Sequence, residues 1–270
     1  MKKFINITPM FFTTFLFLSS CIETIEPDLK SFEEKIVIEG LITNLPTPQY
    51  VKVTKAVPFY SDLKSLAVVD AIVVLSDDRG NRDTLDYTGD GRYETSKITG
   101  VPGTQYYLLV TAEGKTYESS SVMNRLNPID SAYSTYYEKA DFLHEEDSYY
   151  VSFSAKEPQD TRDFYLWKFY KNSELLNQKN DIMIASDELV QENISGMEAP
   201  FPYKLGDTAK VEMYSLTEDA FKFYSGLNTN LNNEGGFFSS PPSNPPSNIT
   251  NGALGLFQTS AVEIIEYIVK

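Results

Sequence analysis

From Lys35 onwards, apolar and polar residues alternate with a period of two, and the alternation predicts strands. Ile36, Ile38, Gly40 and Ile42 share one face of the first, and Val51 with Val53 one face of the next. Val69, Ala71, Val73 and Leu75 alternate before the turn Asp77-Asp78-Arg79-Gly80. Short strands are expected around Thr84–Tyr87 and Tyr93–Lys97, with Thr88-Gly89-Asp90-Gly91 between them. Tyr106, Leu108 and Val110 alternate again, and Gly114 turns the chain into Tyr117–Val122. About seven short strands with turn residues between them predict a β-sandwich of immunoglobulin-like type over 35–126.

Asn127-Pro128 breaks this pattern and marks the expected start of a second β-rich domain, 127–270. Ile129–Tyr137, Tyr149–Ala155 and Phe164–Tyr170 read as longer strands. In the last, Tyr165, Trp167 and Phe169 share one face, while Phe164, Leu166 and Tyr170 lie on the other. A strand apolar on both faces is expected to be central and covered on each side. Residues 172–206 are less regular, and Asp207–Leu216 resumes strand character. One helix is predicted near 217–231: Thr217-Glu218-Asp219 caps a stripe of Ala220, Phe223, Tyr224, Leu227 and Leu231. Gly235-Gly236 ends that segment. Pro241-Pro242 and Pro245-Pro246 then impose a stiff loop over 239–248. Gly252–Gln258 and Val262–Val269 return as strands. The fold class is therefore mainly β.

The first 34 residues follow a different pattern. Met1-Lys2-Lys3 is basic, and Phe4 to Leu18 is a phenylalanine- and leucine-rich run. Asn6, Thr8 and Pro9 interrupt it, and it is too short to span a bilayer. Leu18-Ser19-Ser20-Cys21 closes it in the manner of a lipoprotein signal. This gives a signal peptide over 1–20, acylation at Cys21, the chain's only cysteine, and an acidic tether over 21–34. Each buried acyl methylene contributes about 0.8 kcal/mol, so two or three chains fix the protein to a lipid bilayer. Ile22, not aspartate, follows the cysteine, which favours the outer membrane over inner-membrane retention. Glu23, Glu26 and Asp28 suit a surface-export tether and a solvated linker equally, so the periplasmic and cell-surface faces both stay open.

Composition narrows the partners. The chain carries a net charge of −15, and removing residues 1–20, which hold Lys2 and Lys3 but no acid, leaves −17. Nucleic acid is disfavoured, since phosphate binding needs clustered cations. Once Cys21 is acylated no disulfide can form, so packing alone must hold the remaining 250 residues. Eighteen Tyr and 17 Phe against one Trp again suit strands.

Four stretches resemble a known family. They are Val37-Ile38-Glu39-Gly40-Leu41-Ile42-Thr43, Val73-Val74-Leu75-Ser76-Asp77-Asp78-Arg79-Gly80, Pro128-Ile129-Asp130-Ser131, and Tyr224 through the double-proline loop to Asn248-Ile249-Thr250-Asn251-Gly252-Ala253-Leu254-Gly255-Leu256-Phe257. The resemblance is to Bacteroidetes cell-envelope lipoproteins numbered 4249 among domains of unknown function. It implies company with TonB-dependent outer-membrane receptors and carries over no catalytic residue.

No catalytic constellation, cofactor loop or metal set is legible. His144, the only histidine, lies in Leu143-His144-Glu145-Glu146-Asp147 and reads as part of a solvated turn. One histidine offers too few nitrogen ligands for a transition metal, and no serine is placed to pair with it. Asp77-Asp78 and the Asp86–Glu94 stretch are rich enough in oxygen to hold calcium, but their spacing is that of hairpin corners and not of an EF-hand. Tyr165, Trp167 and Phe169 are weak candidates for a platform that stacks on sugar rings, against the ordinary reading of an aromatic core stripe. Tyr136-Tyr137 and Tyr149-Tyr150 each place one ring on each face. Three functions follow as expectations: a non-enzymatic accessory or ligand-binding partner of a TonB-dependent transport system, a surface adhesin for carbohydrate or protein, and, last, a hydrolase built on scattered carboxylates.

Overall fold

Among the described residues, alternation over 36–122 becomes nine strands: β1 (Ile36–Thr43), β2 (Gln49–Lys55), β3 (Leu66–Ala67), β4 (Ile72–Asp77), β5 (Arg82–Thr84), β6 (Asp86–Gly89), β7 (Arg92–Thr95), β8 (Gln105–Ala112) and β9 (Lys115–Val122). After the break come β10 (Ile129–Tyr137), β11 (Ser148–Lys156), β12 (Phe164–Lys171), β13 (Glu174–Leu175), β14 (Met183–Ser186), β15 (Asn193–Glu198) and β16 (Thr208–Leu216). The helix α1 (Glu218–Leu231) and strands β17 (Leu254–Ser260) and β18 (Val262–Ile268) complete the chain. This computed structural model describes residues 34–58, 65–95, 97–139, 147–156, 162–178, 181–187, 193–233 and 243–270. Cys21, the signal segment and His144 lie outside the described residues.

Four sheets form. The first runs β17-β1-β2-β7-β6 with β3 beside β2, and the second β5-β4-β8-β9. Ile38, Ile42, Val51, Val53 and Tyr93 from the first meet Val73, Leu75, Tyr106, Leu108 and Val110 from the second in one core. Buried tyrosines need partners for their hydroxyls. Tyr93 Oη donates to the Val68 carbonyl at 2.8 Å and accepts from the Ala71 N–H at 3.0 Å. Tyr106 Oη accepts from the Val101 N–H at 2.8 Å. The stretch read as one strand over Thr84–Tyr87 is a crossing. Leu85 is buried, its N–H bonds the Val73 carbonyl, and the chain passes there from the second sheet to the first. Val69 is exposed, and only Val73 and Leu75 of the expected alternating set are buried, because pairing with Val110 and Leu108 fixes the inward face of β4.

The break at Asn127-Pro128 falls between β9 and β10, where the chain does leave the first pair of sheets. It then comes back. Strand β17 pairs in parallel with β1, Ile38 opposite Gly255 and Leu41 opposite Gln258, and Glu34–Lys270 hold together as one compact unit. The third sheet, β10-β11-β15, faces the fourth, in which β12 lies between β16 and the short β13 and β14, with β18 at the edge. Residues 172–206, read as irregular, contain β13, β14 and β15. Their pairing depends on β11 and β12 and not on any alternation of their own.

Strand β12 is covered on both faces, as its sequence predicts. Tyr165, Trp167 and Phe169 enter the core shared with β11 and β16. Phe164 and Leu166 meet Leu216, Ala220, Leu256 and Val262 under α1. The helix begins where its cap dictates: Thr217 Oγ1 accepts from the Ala220 N–H at 3.2 Å, and Glu218 and Asp219 sit in the first turn. Thr217→Ala is expected to lower stability by about 1 kcal/mol in urea unfolding. The described half of the proline loop is a strap. Pro245 and Pro246 lie against Gly226 of α1, and Asn248 Nδ2 donates to the Phe257 carbonyl at 2.7 Å while its Oδ1 accepts the Phe257 N–H at 3.0 Å. Thr250 Oγ1 then accepts from the Glu118 N–H on β9 at 2.8 Å. Pro241 and Pro242 lie outside the described residues.

Candidate functional site: a groove between helix and sheet

Strand register, not sequence proximity, builds the site. The face of the first sheet turned away from its core carries two rows across β17, β1, β2 and β7. One row is Leu256, Glu39, Lys52, Arg92, and the other Gln258, Leu41, Tyr50, Glu94. Helix α1 lies over the β17 side and adds Phe223, Tyr224 and Leu227. Between roof and floor is a groove of about 470 Å³, within the size range of small-molecule sites.

Tyr224 anchors the roof to the floor. Its hydroxyl donates to Gln258 Oε1 at 2.9 Å. Gln258 Nε2 donates to Ser260 Oγ at 2.5 Å, and that hydroxyl donates to the Ser215 carbonyl at 2.6 Å. The amide of Gln258 is thereby held with its oxygen toward the groove. Burial, then the Glu39 carboxylate and Tyr50, push the Tyr224 phenol up to about 12, so it remains a protonated donor at neutral pH. Tyr224→Phe is expected to cost about 1 kcal/mol of stability in thermal or urea unfolding, by leaving the Gln258 oxygen without its donor.

The charged groups of this face divide. Arg92 is matched: it pairs with Glu94 at 3.2 Å, and its guanidinium lies 4.0 Å from the Tyr50 ring centroid. Glu39 and Lys52 stand directly opposite one another on β1 and β2, yet among the described residues neither makes an ion pair within 4.0 Å.

The residues singled out from sequence fall elsewhere. Tyr165, Trp167 and Phe169 are 3%, 1% and 0% exposed, so no sugar ring can reach their faces. Asp77 directs its carboxylate to its own turn, accepting from the Arg79 N–H at 3.0 Å and the Asn81 N–H at 2.8 Å. A second concavity of about 550 Å³ lies on the outer face of the second sheet, lined by Arg82, Tyr107 and Glu118 among others. No helix roofs it. Nothing in the sequence marks Tyr50, Lys52 or Gln258 as functional, and Tyr224 belongs to the helix's apolar stripe. The available signal was the alternation itself, which puts Glu39 and Leu41 on the face opposite Ile38.

A family model described as Domain of unknown function (DUF4249) matches residues 22–265. The chain belongs to this family. The match spans nearly the whole chain and every residue of the groove. No curated protein is significantly similar to the chain. No helix among the described residues is long and apolar enough to cross a membrane.

Proposed function

We propose that this protein is a lipoprotein anchored in the outer membrane through acylated Cys21, and that it acts as a non-enzymatic accessory that captures a ligand for a TonB-dependent transport system. The observation that carries ligand capture is the roofed groove, where aromatic and aliphatic walls stand beside a carboxylate and an ammonium with no mutual ion pair. The Leu18-Ser19-Ser20-Cys21 segment supports the anchor, and the resemblance to envelope lipoproteins supports the partner. The groove's half-buried Tyr224 phenol donates to Gln258 and stays protonated at neutral pH, which suits binding more than proton transfer.

Membranes solubilised in mild detergent test the reading. The native protein is expected in the membrane fraction and to co-purify with a β-barrel receptor, while Cys21→Ala moves to the soluble fraction. A native protein that runs alone with the receptor present would overturn the accessory role, and one that stays soluble would overturn the anchor.

One observation favours the adhesin reading as a second choice. Tyr133, Tyr150 and Tyr137 occupy one face of the third sheet, with Tyr133 47% exposed and the Tyr137 and Tyr150 rings 5.7 Å apart. Rings spaced along a sheet face suit stacking on an extended glycan. Loss of glycan adhesion in Tyr133→Ala with unchanged receptor co-purification would favour it.

A further inference from the structure

We propose that the groove takes a zwitterion, a dipeptide with an apolar side chain, with its ammonium against Glu39 and its carboxylate against Lys52. The inference rests on the reading that the groove holds a ligand, and it names the class.

Charge is the first argument. Opposite charges on directly paired strand positions, with Cα atoms about 5 Å apart, are close enough to join each other. Glu39 and Lys52 do not, whereas Arg92 on the same row is paired with Glu94 and stacked on Tyr50. A ligand that covers the groove removes water from both charges, and uncompensated desolvation of a charge is costly. A neutral sugar would leave both without a counter-charge. A simple anion would leave Glu39 facing it, on a chain of net charge −15. A simple cation would leave Lys52. A molecule bearing both charges satisfies both, and the termini of a dipeptide lie roughly 5–6 Å apart, close to the strand spacing.

The rest of the groove fits the remaining part of such a ligand. Leu41, Leu256, Leu227 and Phe223 form an apolar wall for a side chain. The Tyr224 hydroxyl donates to Gln258 and keeps lone pairs that can accept a peptide N–H. About 470 Å³ accommodates two or three residues.

Calorimetry on the detergent-solubilised full protein tests this with leucyl-phenylalanine, its N-acetyl form, its C-terminal amide, and cellobiose. The free dipeptide is expected to bind, with acetylation and amidation each weakening it at least about tenfold. Glu39→Gln should weaken the free dipeptide about tenfold and leave the N-acetyl form unchanged, and Lys52→Gln should do likewise for the amide. That pairing separates charge recognition from damage to the fold, which would weaken all forms together. Equal binding of all three peptide forms overturns the proposal, as does a failure of every peptide to bind. Binding of cellobiose alone overturns the zwitterion while leaving ligand capture standing, and the receptor co-purification above judges the accessory role separately.

Discussion

Gly255→Ala is expected to remove about 4 kcal/mol or more of folding stability, a large share of the ~5–15 kcal/mol typical of a folded protein. Gly255 has φ +101°, where an L side chain is strained. Its missing Cβ is also what lets β17 lie against β1. A Cβ there would stand close against the Ile38 carbonyl oxygen, 2.9 Å from its carbon and 3.1 Å from the Ile38 nitrogen. These are backbone atoms of a strand held on its far side by β2, so β1 cannot withdraw. The matched control is Gly252→Ala, where φ is +75° but nothing lies within 4 Å. That change should cost only the backbone strain, about 1–2 kcal/mol. Urea unfolding followed by fluorescence of Trp167, the chain's only tryptophan, reads both. Similar losses in the two variants would mean that the approach of β17 to β1 is not what holds the sheet. Because Leu256 and Gln258 ride on β17, dipeptide binding at the groove should fail together with stability in Gly255→Ala.

That parallel pairing was the part of the fold least legible in the sequence. Antiparallel neighbours such as β8 and β9 are joined by Gly114 and announce themselves through a turn, and the helix announces itself through Thr217 and its stripe. A strand that joins β1 from more than two hundred residues away has no such local sign. Asn127-Pro128 falls between β9 and β10 but says nothing about which later segment pairs with β1. Strand β12 was legible because both its faces are apolar. The same property puts Tyr165, Trp167 and Phe169 in the core, which leaves them no open face for a sugar ring. The groove was illegible for the reason β17 was. Glu39, Lys52 and Tyr224 look like solvent-facing strand positions and a helix stripe until register and the crossing of α1 bring them together.

The other large effect is expected from Glu212→Ala, about 3–5 kcal/mol. Glu212 is 6% exposed on β16, on the face that continues beneath α1 through Tyr214. Its Oε2 accepts from the Tyr170 hydroxyl at 2.9 Å and the Tyr214 hydroxyl at 2.8 Å, and its Oε1 accepts from Lys210 Nζ at 2.8 Å. Lys168 Nζ approaches the Tyr214 hydroxyl at 3.4 Å. Truncation strands a buried phenol, a half-buried phenol and a half-buried ammonium without their acceptor, which is more costly than never having had them. Burial pushes the Glu212 carboxyl up, but the three donors outweigh it and hold it below the usual glutamate value of 4.5. Its contribution to stability is therefore fully present above about pH 4.5, declines as pH falls through the lower folded value, and is absent below both. Burial and this same carboxylate push the Tyr170 and Tyr214 phenols above 10, so their contribution is fully present below about pH 10 and is lost as pH rises from there through their folded values. Glu212→Gln preserves the shape without the charge. The stability gap between it and the native protein should be widest near pH 7 and close progressively toward pH 3 in a series of urea midpoints. A gap that stays constant over that range would show that the carboxylate's charge is not what the two tyrosines and Lys210 depend on.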